Sequence, residues 1–125
     1  MDSSPVFINM CTSAAKLRTM WSPEIGDFYH SGHSSNRGLH VVTKLPHSRT
    51  WNVWLPRADQ LFSIAEARYT VHNKAPYALN QLTQFMLDVT PEHHDTIEKM
   101  LMHFVMSKLF NVRYLLRSWI PIRRA

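Results

Sequence analysis

Between residues 24 and 55 the chain alternates apolar and polar positions in three short runs, which is the pattern of half-buried strands. The clearest alternation places Trp51, Val53 and Leu55 on one face of such a strand. Polar connections rich in serine, histidine, glycine and asparagine separate the runs. The runs cover residues 24–30, 39–45 and 49–55. Short strands joined in this way predict an antiparallel meander.

From residue 56 onward the apolar residues recur every three or four positions, which predicts amphipathic helices. Three stripes follow this spacing: Ala58, Leu61, Phe62, Ala65 and Tyr69; Leu79, Leu82, Phe85, Met86 and Val89; and Ile97, Met100, Leu101, Phe104, Val105 and Leu109. Thr90, followed by Pro91 and Glu92, has the residue types of a helix start, and Asn111 suits a helix end. Residues 112–120 fit either a strand or a last helical turn.

Strands that precede helices, rather than alternating with them, indicate an α+β fold. We predict a three-stranded antiparallel sheet followed by three helices packed on one face. With 125 residues the chain has the length of one domain, which we place at residues 21–125. Residues 1–20 are interpreted as an N-terminal extension. Within it, residues 6–8 could form a short strand or an apolar arm, and Thr12 could cap a weak helix over residues 13–18.

The composition, with 45% hydrophobic and 18% charged residues, is that of a folded domain. The single cysteine, Cys11, excludes an internal disulfide. No apolar run approaches the roughly 18 residues of a membrane-spanning helix. The first residues also lack the basic and apolar segments of a secretory signal. We therefore expect a cytoplasmic protein with no membrane partner.

Lysine and arginine number 14 against 9 acidic residues, so the formal net charge is +5. Most of the basic residues are arginines, which favour bidentate contacts with phosphate or carboxylate. The candidate binding residues are Arg37, Lys44, Arg49, Trp51, Trp54 and Arg57, with Arg113, Arg117, Arg123 and Arg124 near the C-terminus. Arginine and tryptophan on a sheet can stack bases and pair with phosphates. The same residue types anchor protein interfaces, so both kinds of partner stay open.

Four histidines between residues 30 and 47 are the only candidates for a metal site. They are His30, His33, His40 and His47. No cysteine or carboxylate accompanies them at a recognisable ligand spacing, and no HExxH pattern occurs, so scattered surface histidines are the better interpretation. Cys11 lacks an evident fixed base, no serine lies in a G-x-S-x-G turn, and the three glycines form no phosphate-binding loop. We predict neither enzymatic activity nor a cofactor.

The segment WLPRADQL, residues 54–61, resembles a W-L-P-x-x-D-Q-L segment of small, mostly uncharacterised phage and prophage proteins. Those proteins also carry an early Gly-Asp pair and a later helix containing F-V-M. The matching positions here are Gly26, Asp27, Glu98, Leu101, Phe104, Val105, Met106 and Phe110. The resemblance covers roughly residues 21–114 and implies a mobile-element context. It transfers no activity and no site residue.

Small proteins of that context often bind and block a host macromolecule, including defence nucleases. Together with the abundant arginine and tryptophan, this resemblance predicts a non-enzymatic protein that binds a host protein or nucleoprotein complex. An inhibitor of a bacterial defence nuclease system, in the manner of anti-CRISPR proteins, is one such function. The alternative is a basic protein that binds DNA or RNA through the arginines and tryptophans of the sheet region. The oligomeric state stays open.

Overall fold

Two helices, three strands, three helices and a final pair of strands follow one another along the described chain. This computed structural model describes residues 2–35, 37–70, 75–88 and 95–122. The elements are α1 Pro5–Ser13, α2 Ala15–Thr19, β1 Phe28–Ser31, β2 Gly38–Val41, β3 Asn52–Leu55, α3 Ala58–Thr70, α4 Ala75–Asp88, α5 Ile97–Phe110, β4 Val112–Leu115 and β5 Ser118–Pro121. The α+β class and the three-stranded antiparallel sheet are confirmed.

The larger sheet has the strand order β2-β1-β3, with β1 in the centre and both pairings antiparallel. A meander would place β2 in the centre, so this part of the prediction is wrong. Residues 42–51 form a long connection, without strand structure, between β2 and β3. Pro46 cannot donate to a strand ladder, and Trp51 has a φ of 64°, which strands do not adopt. The chain can therefore cross to the far side of β1 before it pairs again.

The two faces of this sheet differ in what covers them. Phe28 pairs with Val41 on one side and with Leu55 on the other, and β3 packs against α1 on the core side. On the opposite face, Tyr29 pairs with His40 and with Trp54. The rings of Trp21 and His47 cover that face. The sheet is thus apolar towards the helices and aromatic on its other face.

The N-terminal segment, interpreted from the sequence as an extension, contributes directly to the core. Helix α1 begins after Ser4, whose side chain accepts a hydrogen bond from the backbone N–H of Phe7. It replaces the predicted strand or arm over residues 6–8, and Thr12 lies inside it rather than capping the next helix. The segment buries one side chain in each helical turn: Phe7, Met10, Ala14, Leu17 and Trp21.

The three predicted helices exist as α3, α4 and α5, but their packing together on one face of the sheet is not confirmed. The helix that packs most closely on β3 is α1, while α5 packs against α1, α3 and α4. Helix α5 is buried on almost all sides, begins at Ile97 and is capped by Thr96. The helix start predicted at Thr90, Pro91 and Glu92 lies outside the described residues. Asn111 ends it in a left-handed conformation, as expected. In the stripe of α4, Leu82 is buried but Leu79 and Met86 are exposed.

Residues 112–120, for which the sequence allowed a strand or a last helical turn, belong to a hairpin, β4–β5. This hairpin packs on α1 and α5. Its two turn residues, Leu116 and Arg117, both have positive φ. The indole N–H of Trp119 donates to the carbonyl of Met10 at 2.9 Å, which fixes the hairpin to α1. Within the described ranges, no helix is both long enough and apolar enough to cross a bilayer.

Candidate binding site

A groove of about 570 Å³ runs between α2 and the start of β3. We call it the Arg49 groove; its lining residues are Ala15, Arg18, Thr19, Trp21, Arg49, Thr50, Asn52 and Trp54. Two of the predicted binding residues, Arg49 and Trp54, therefore come together here. The other wall comes from the N-terminal segment, which the sequence analysis did not include in any site.

Arg49 is held in position by the backbone of the opposite wall. One terminal nitrogen, Nη1, donates to the carbonyl of Trp21 at 3.1 Å and to that of Thr19 at 3.4 Å. A guanidinium carries five N–H donors, and among the described residues none accepts from Nε or Nη2 of Arg49. The side chain is thus fixed on one side and keeps donors for a ligand on the other.

Trp54 forms the floor of the groove rather than an exposed platform. Its ring stacks on Trp21, with parallel planes and centroids 6.4 Å apart, and only 7% of Trp54 is exposed. Its Nε1 has no acceptor within the described part of the chain. Trp54 therefore shapes the groove but cannot stack on a nucleic acid base.

Asp27 organises the Trp21 side of the groove from within the protein. Its buried carboxylate accepts hydrogen bonds from Nε1 of Trp21 at 3.0 Å, from the backbone N–H of Glu24 at 2.9 Å and from Nε2 of Gln60 at 2.7 Å. Nη1 of Arg57 lies 3.8 Å from the same carboxylate and also donates to the carbonyl of Gly26. Arg57, predicted to bind a partner, thus also joins Asp27 and the Gly26 backbone within the fold.

Trp51 is the exposed aromatic residue of the connection that carries Arg49, with 67% of its surface accessible. Its φ of 64° is rare for a bulky side chain. The surrounding loop supports this conformation, because the carbonyl of Trp51 accepts from the N–H of Gly32 at 2.8 Å and Asn52 donates to the carbonyl of Ser48. Trp51 also borders a shallow cleft of about 300 Å³ with Gly32, His33 and Ser34. A rigid loop therefore displays the indole.

The electrostatics of the groove favour an anion. Its described lining includes Arg18 and Arg49 but no aspartate or glutamate. One terminal nitrogen of Arg18, Nη1, donates a hydrogen bond to the carbonyl of Thr12 at 3.3 Å. The hydroxyls of Thr19 and Thr50 line the same groove. Carboxylate and phosphate are the groups that two neighbouring arginines recognise best.

The remaining predicted basic residues do not join this groove. Arg37 and Lys44 are exposed on the loops that flank β2. Arg113 and Arg117 lie on the β4–β5 hairpin, where Arg117 lines a separate cleft. Arg123 and Arg124 lie outside the described residues.

The four histidines are not brought together. His40 and His47 pack on Tyr29 with ring centroids 5.5 and 4.6 Å away, whereas His30 lines the cleft beside the hairpin. His33 shares a hydrogen bond of 2.6 Å with Ser35. In the described ranges, no three His, Cys, Asp or Glu side chains are grouped to hold a metal ion.

Cys11 is buried in the core of α1 with only 2% of its surface exposed. Burial raises the pKa of its thiol well above the usual range, and the negative charge of Asp2 adds to the effect. A thiol in this state is the opposite of the exposed, acidic thiol that a cysteine nucleophile requires.

Arg18 and Trp21 are the site residues that sequence reasoning missed, because they were assigned to the extension or its edge. A signal was present in the spacing of Phe7, Met10, Leu17 and Trp21, which recur at the three- and four-residue intervals of a buried helical stripe. The break between α1 and α2 at Ala14 interrupts this stripe without moving it off the core side. Its continuity predicts a docked segment rather than a free arm.

No protein family, no curated relative and no solved structure matches this chain.

Proposed function

We propose that this protein is a non-enzymatic binding protein whose Arg49 groove and neighbouring Trp51 recognise an acidic segment on a host protein. The observation that carries the proposal is that a pre-positioned arginine and an exposed tryptophan stand two residues apart on one connection, at Arg49 and Trp51. These are the two residue types most enriched among the energetic anchors of protein interfaces.

Arg49 supports the proposal through its fixed geometry. Two backbone carbonyls already hold its guanidinium, so little side-chain freedom is lost when a carboxylate binds. A bidentate pair with Nε and Nη2 would use the donors that point away from those carbonyls. Arg18 adds a second positive charge in the same groove.

Trp51 supports it through its exposure. An indole with 67% of its surface in water adds little hydrophobic stabilisation to the free protein. Its left-handed backbone is disfavoured for a residue with a bulky side chain. Strained residues held by a well-bonded loop are concentrated at binding sites. A partner that covers Trp51 would remove a large apolar surface from water.

A protein partner is favoured over DNA or RNA by where the other candidates lie. Proteins that bind single-stranded DNA or RNA present several aromatic rings for base stacking and a positively charged groove along the nucleic acid backbone. Here Trp54 is only 7% exposed, and Arg57 is committed to Asp27 and Asp59. Trp51 is thus the one exposed stacking ring among the described sheet-region tryptophans.

The resemblance to phage and prophage proteins supplies the biological setting of the proposal. In that setting the protein would act in the cytoplasm of the host cell by stoichiometric contact, as an inhibitor of a defence nuclease does. A cationic groove is suited to occupying an acidic surface of such a complex.

The proposal is tested by comparative capture from bacterial lysate with immobilised wild-type protein, Trp51→Asn and Leu87→Ala. Asparagine tolerates the backbone of position 51, so this variant should stay within about 1 kcal/mol of wild-type stability. Leu87 is 76% exposed on α4 and is the matched control. We expect a stoichiometric partner that Leu87→Ala retains and Trp51→Asn binds about thirtyfold less tightly, as for an anchor that contributes about 2 kcal/mol.

A partner that binds all three proteins equally would contradict the proposed site. Fluorescent single-stranded DNA, duplex DNA and RNA should bind weakly at about 50 mM salt. Tight binding to duplex DNA with a log–log salt slope of about −4 would instead support the nucleic-acid alternative.

A further inference from the structure

A second cleft, of about 740 Å³, lies between α1 and the turn of the β4–β5 hairpin. We call it the hairpin cleft. The residues that matter for its chemistry are Val6, Ile8, Tyr114, Leu115, Leu116 and Arg117. Its volume falls within the roughly 300–1,000 Å³ of typical small-molecule sites.

The walls of the hairpin cleft are held together by side-chain hydrogen bonds. The hydroxyl of Tyr114 donates to the side-chain oxygen of Asn9, and the indole of Trp119 donates to the carbonyl of Met10 at 2.9 Å. The backbone N–H of Tyr114 donates to Nε2 of His103 at 3.1 Å. Because these bonds join the hairpin to α1 and α5, the cleft is formed before any ligand arrives.

The lining is mostly apolar, with one permanently charged group at the turn. Val6 is 44% exposed, Leu115 is 39% exposed and Leu116 is 89% exposed, so the apolar surface is open to water. Arg117 supplies the only formal charge among the described lining residues. Burial raises the pKa of the Tyr114 hydroxyl, and the positive charge of Arg117 acts against that rise.

The turn itself is built from unsuitable residues. Leu116 and Arg117 have φ values of 51° and 68°, and a two-residue hairpin turn with two positive φ angles prefers Asn-Gly. Neither side chain compensates within the fold, since both are exposed. Strain carried by exposed residues beside an open cleft points to a contact that only a ligand completes.

From this geometry we infer that the hairpin cleft binds an amphipathic carboxylate, with an aliphatic chain along Val6, Ile8 and Leu116 and its carboxylate on Arg117. The apolar walls recognise the chain, and the single cation selects an anionic head. The hairpin cleft and the Arg49 groove share no lining residue, so this inference stands independently of the proposed function.

The test is an isothermal titration calorimetry experiment in which the full chain is titrated with dodecanoate below its critical micelle concentration. Dodecylamine and dodecanol serve as probes of equal chain length and different head charge. We expect dodecanoate to bind with one site per chain, and both other probes to bind at least about tenfold more weakly, as for loss of a charged hydrogen bond.

Two variants test whether the ligand binds at the turn of the hairpin, and a third variant is the control. Arg117→Asn removes the charge and suits the turn, so affinity should fall about tenfold while the Tm stays equal or rises. Leu116→Asn should likewise weaken binding without loss of Tm. Arg113→Asn removes an exposed arginine from the same hairpin, outside the cleft, and should bind dodecanoate as wild type does.

The inference is overturned if dodecanoate does not bind, or if dodecylamine binds equally well. It is also overturned if Arg113→Asn and Arg117→Asn lose the same affinity, because binding would then follow net charge rather than the cleft.

Discussion

Asp2 shows how a single side chain ties the start of the chain to the core. One carboxylate oxygen accepts a hydrogen bond from the N–H of Ser4 at 2.9 Å, and the other accepts from the hydroxyl of Thr96 at 2.5 Å. Nζ of Lys99, which is itself buried, lies 3.8 Å from Asp2 and 2.7 Å from Asp95. The N-cap of α5 and the entry to α1 therefore share one network of polar groups.

The Asp2 network predicts a specific acid dependence of stability. Desolvation by burial raises the pKa of Asp2, but hydrogen bonds from Thr96 and Ser4 and the charge of Lys99 outweigh it, so the pKa lies below its usual range. The unfolded chain then takes up this proton first as the pH falls. The stabilisation is complete above the usual carboxyl pKa and is lost as the pH falls through the lowered folded pKa.

We expect Asp2→Asn to lower the free energy of unfolding by about 1–3 kcal/mol at neutral pH, because buried donors lose an acceptor. The same variant should show a weaker pH dependence in the acid range than wild type. Urea denaturation between about pH 6 and pH 3 measures both effects. Identical pH profiles of stability for the two proteins would show that this network does not lower the pKa of Asp2 in the folded protein.

At the residue scale, the predicted binding residues take different places in the fold. Arg49 lines the groove and Trp51 is exposed on the same connection, whereas Trp54 is buried and Arg57 pairs with Asp27. Alternation along residues 49–55 could not separate them, because a positive φ at Trp51 and a buried carboxylate at Asp27 are products of tertiary contacts.

At the element scale, α1 determines how the other elements pack. It contacts β3, α5 and β5, so its apolar side chains lie where the sheet, the central helix and the hairpin meet. Phe7 is fully buried there. A short helix of nine residues is marginal alone, and its docking supplies the stability that its length does not.

We expect Phe7→Ala to destabilise the protein by about 3–5 kcal/mol, because it leaves a large cavity at this junction. The neighbouring Val6, which is 44% exposed, is the control, and Val6→Ala should stay within about 0.5 kcal/mol. Chemical denaturation monitored by far-UV circular dichroism gives both values. Equal, small effects would mean that α1 docks without supporting the rest of the fold.

Helix positions followed from the sequence better than their arrangement did. The stripes of α3 and α5 are strong local signals, and buried Leu61, Ala65, Leu101 and Phe104 agree with them. Strand order depends on how the connection between β2 and β3 crosses β1, and no local pattern records that path. The stripe in residues 7–21 is split between two short helices, and the sequence predicted only a weak helix over residues 13–18 and a strand or arm over residues 6–8.

At the scale of the whole molecule, the N-terminal segment supplies one wall of the Arg49 groove and one wall of the hairpin cleft. Ala15, Arg18 and Trp21 line the Arg49 groove, while Val6 and Ile8 line the hairpin cleft. Both surfaces therefore exist only while this segment is docked. Loss of docking would remove them together, even with the sheet still formed.

The burial of Cys11 makes this docking measurable in real time. An aqueous thiol reagent cannot reach the sulfur until α1 leaves the core, so the labelling rate reports how often the native protein opens. We expect slow labelling that Phe7→Ala accelerates about tenfold for every 1.4 kcal/mol of stability lost. Fast labelling at full global stability would instead show that the N-terminal segment undocks without unfolding of the rest of the protein. The Arg49 groove and the hairpin cleft would then open with it.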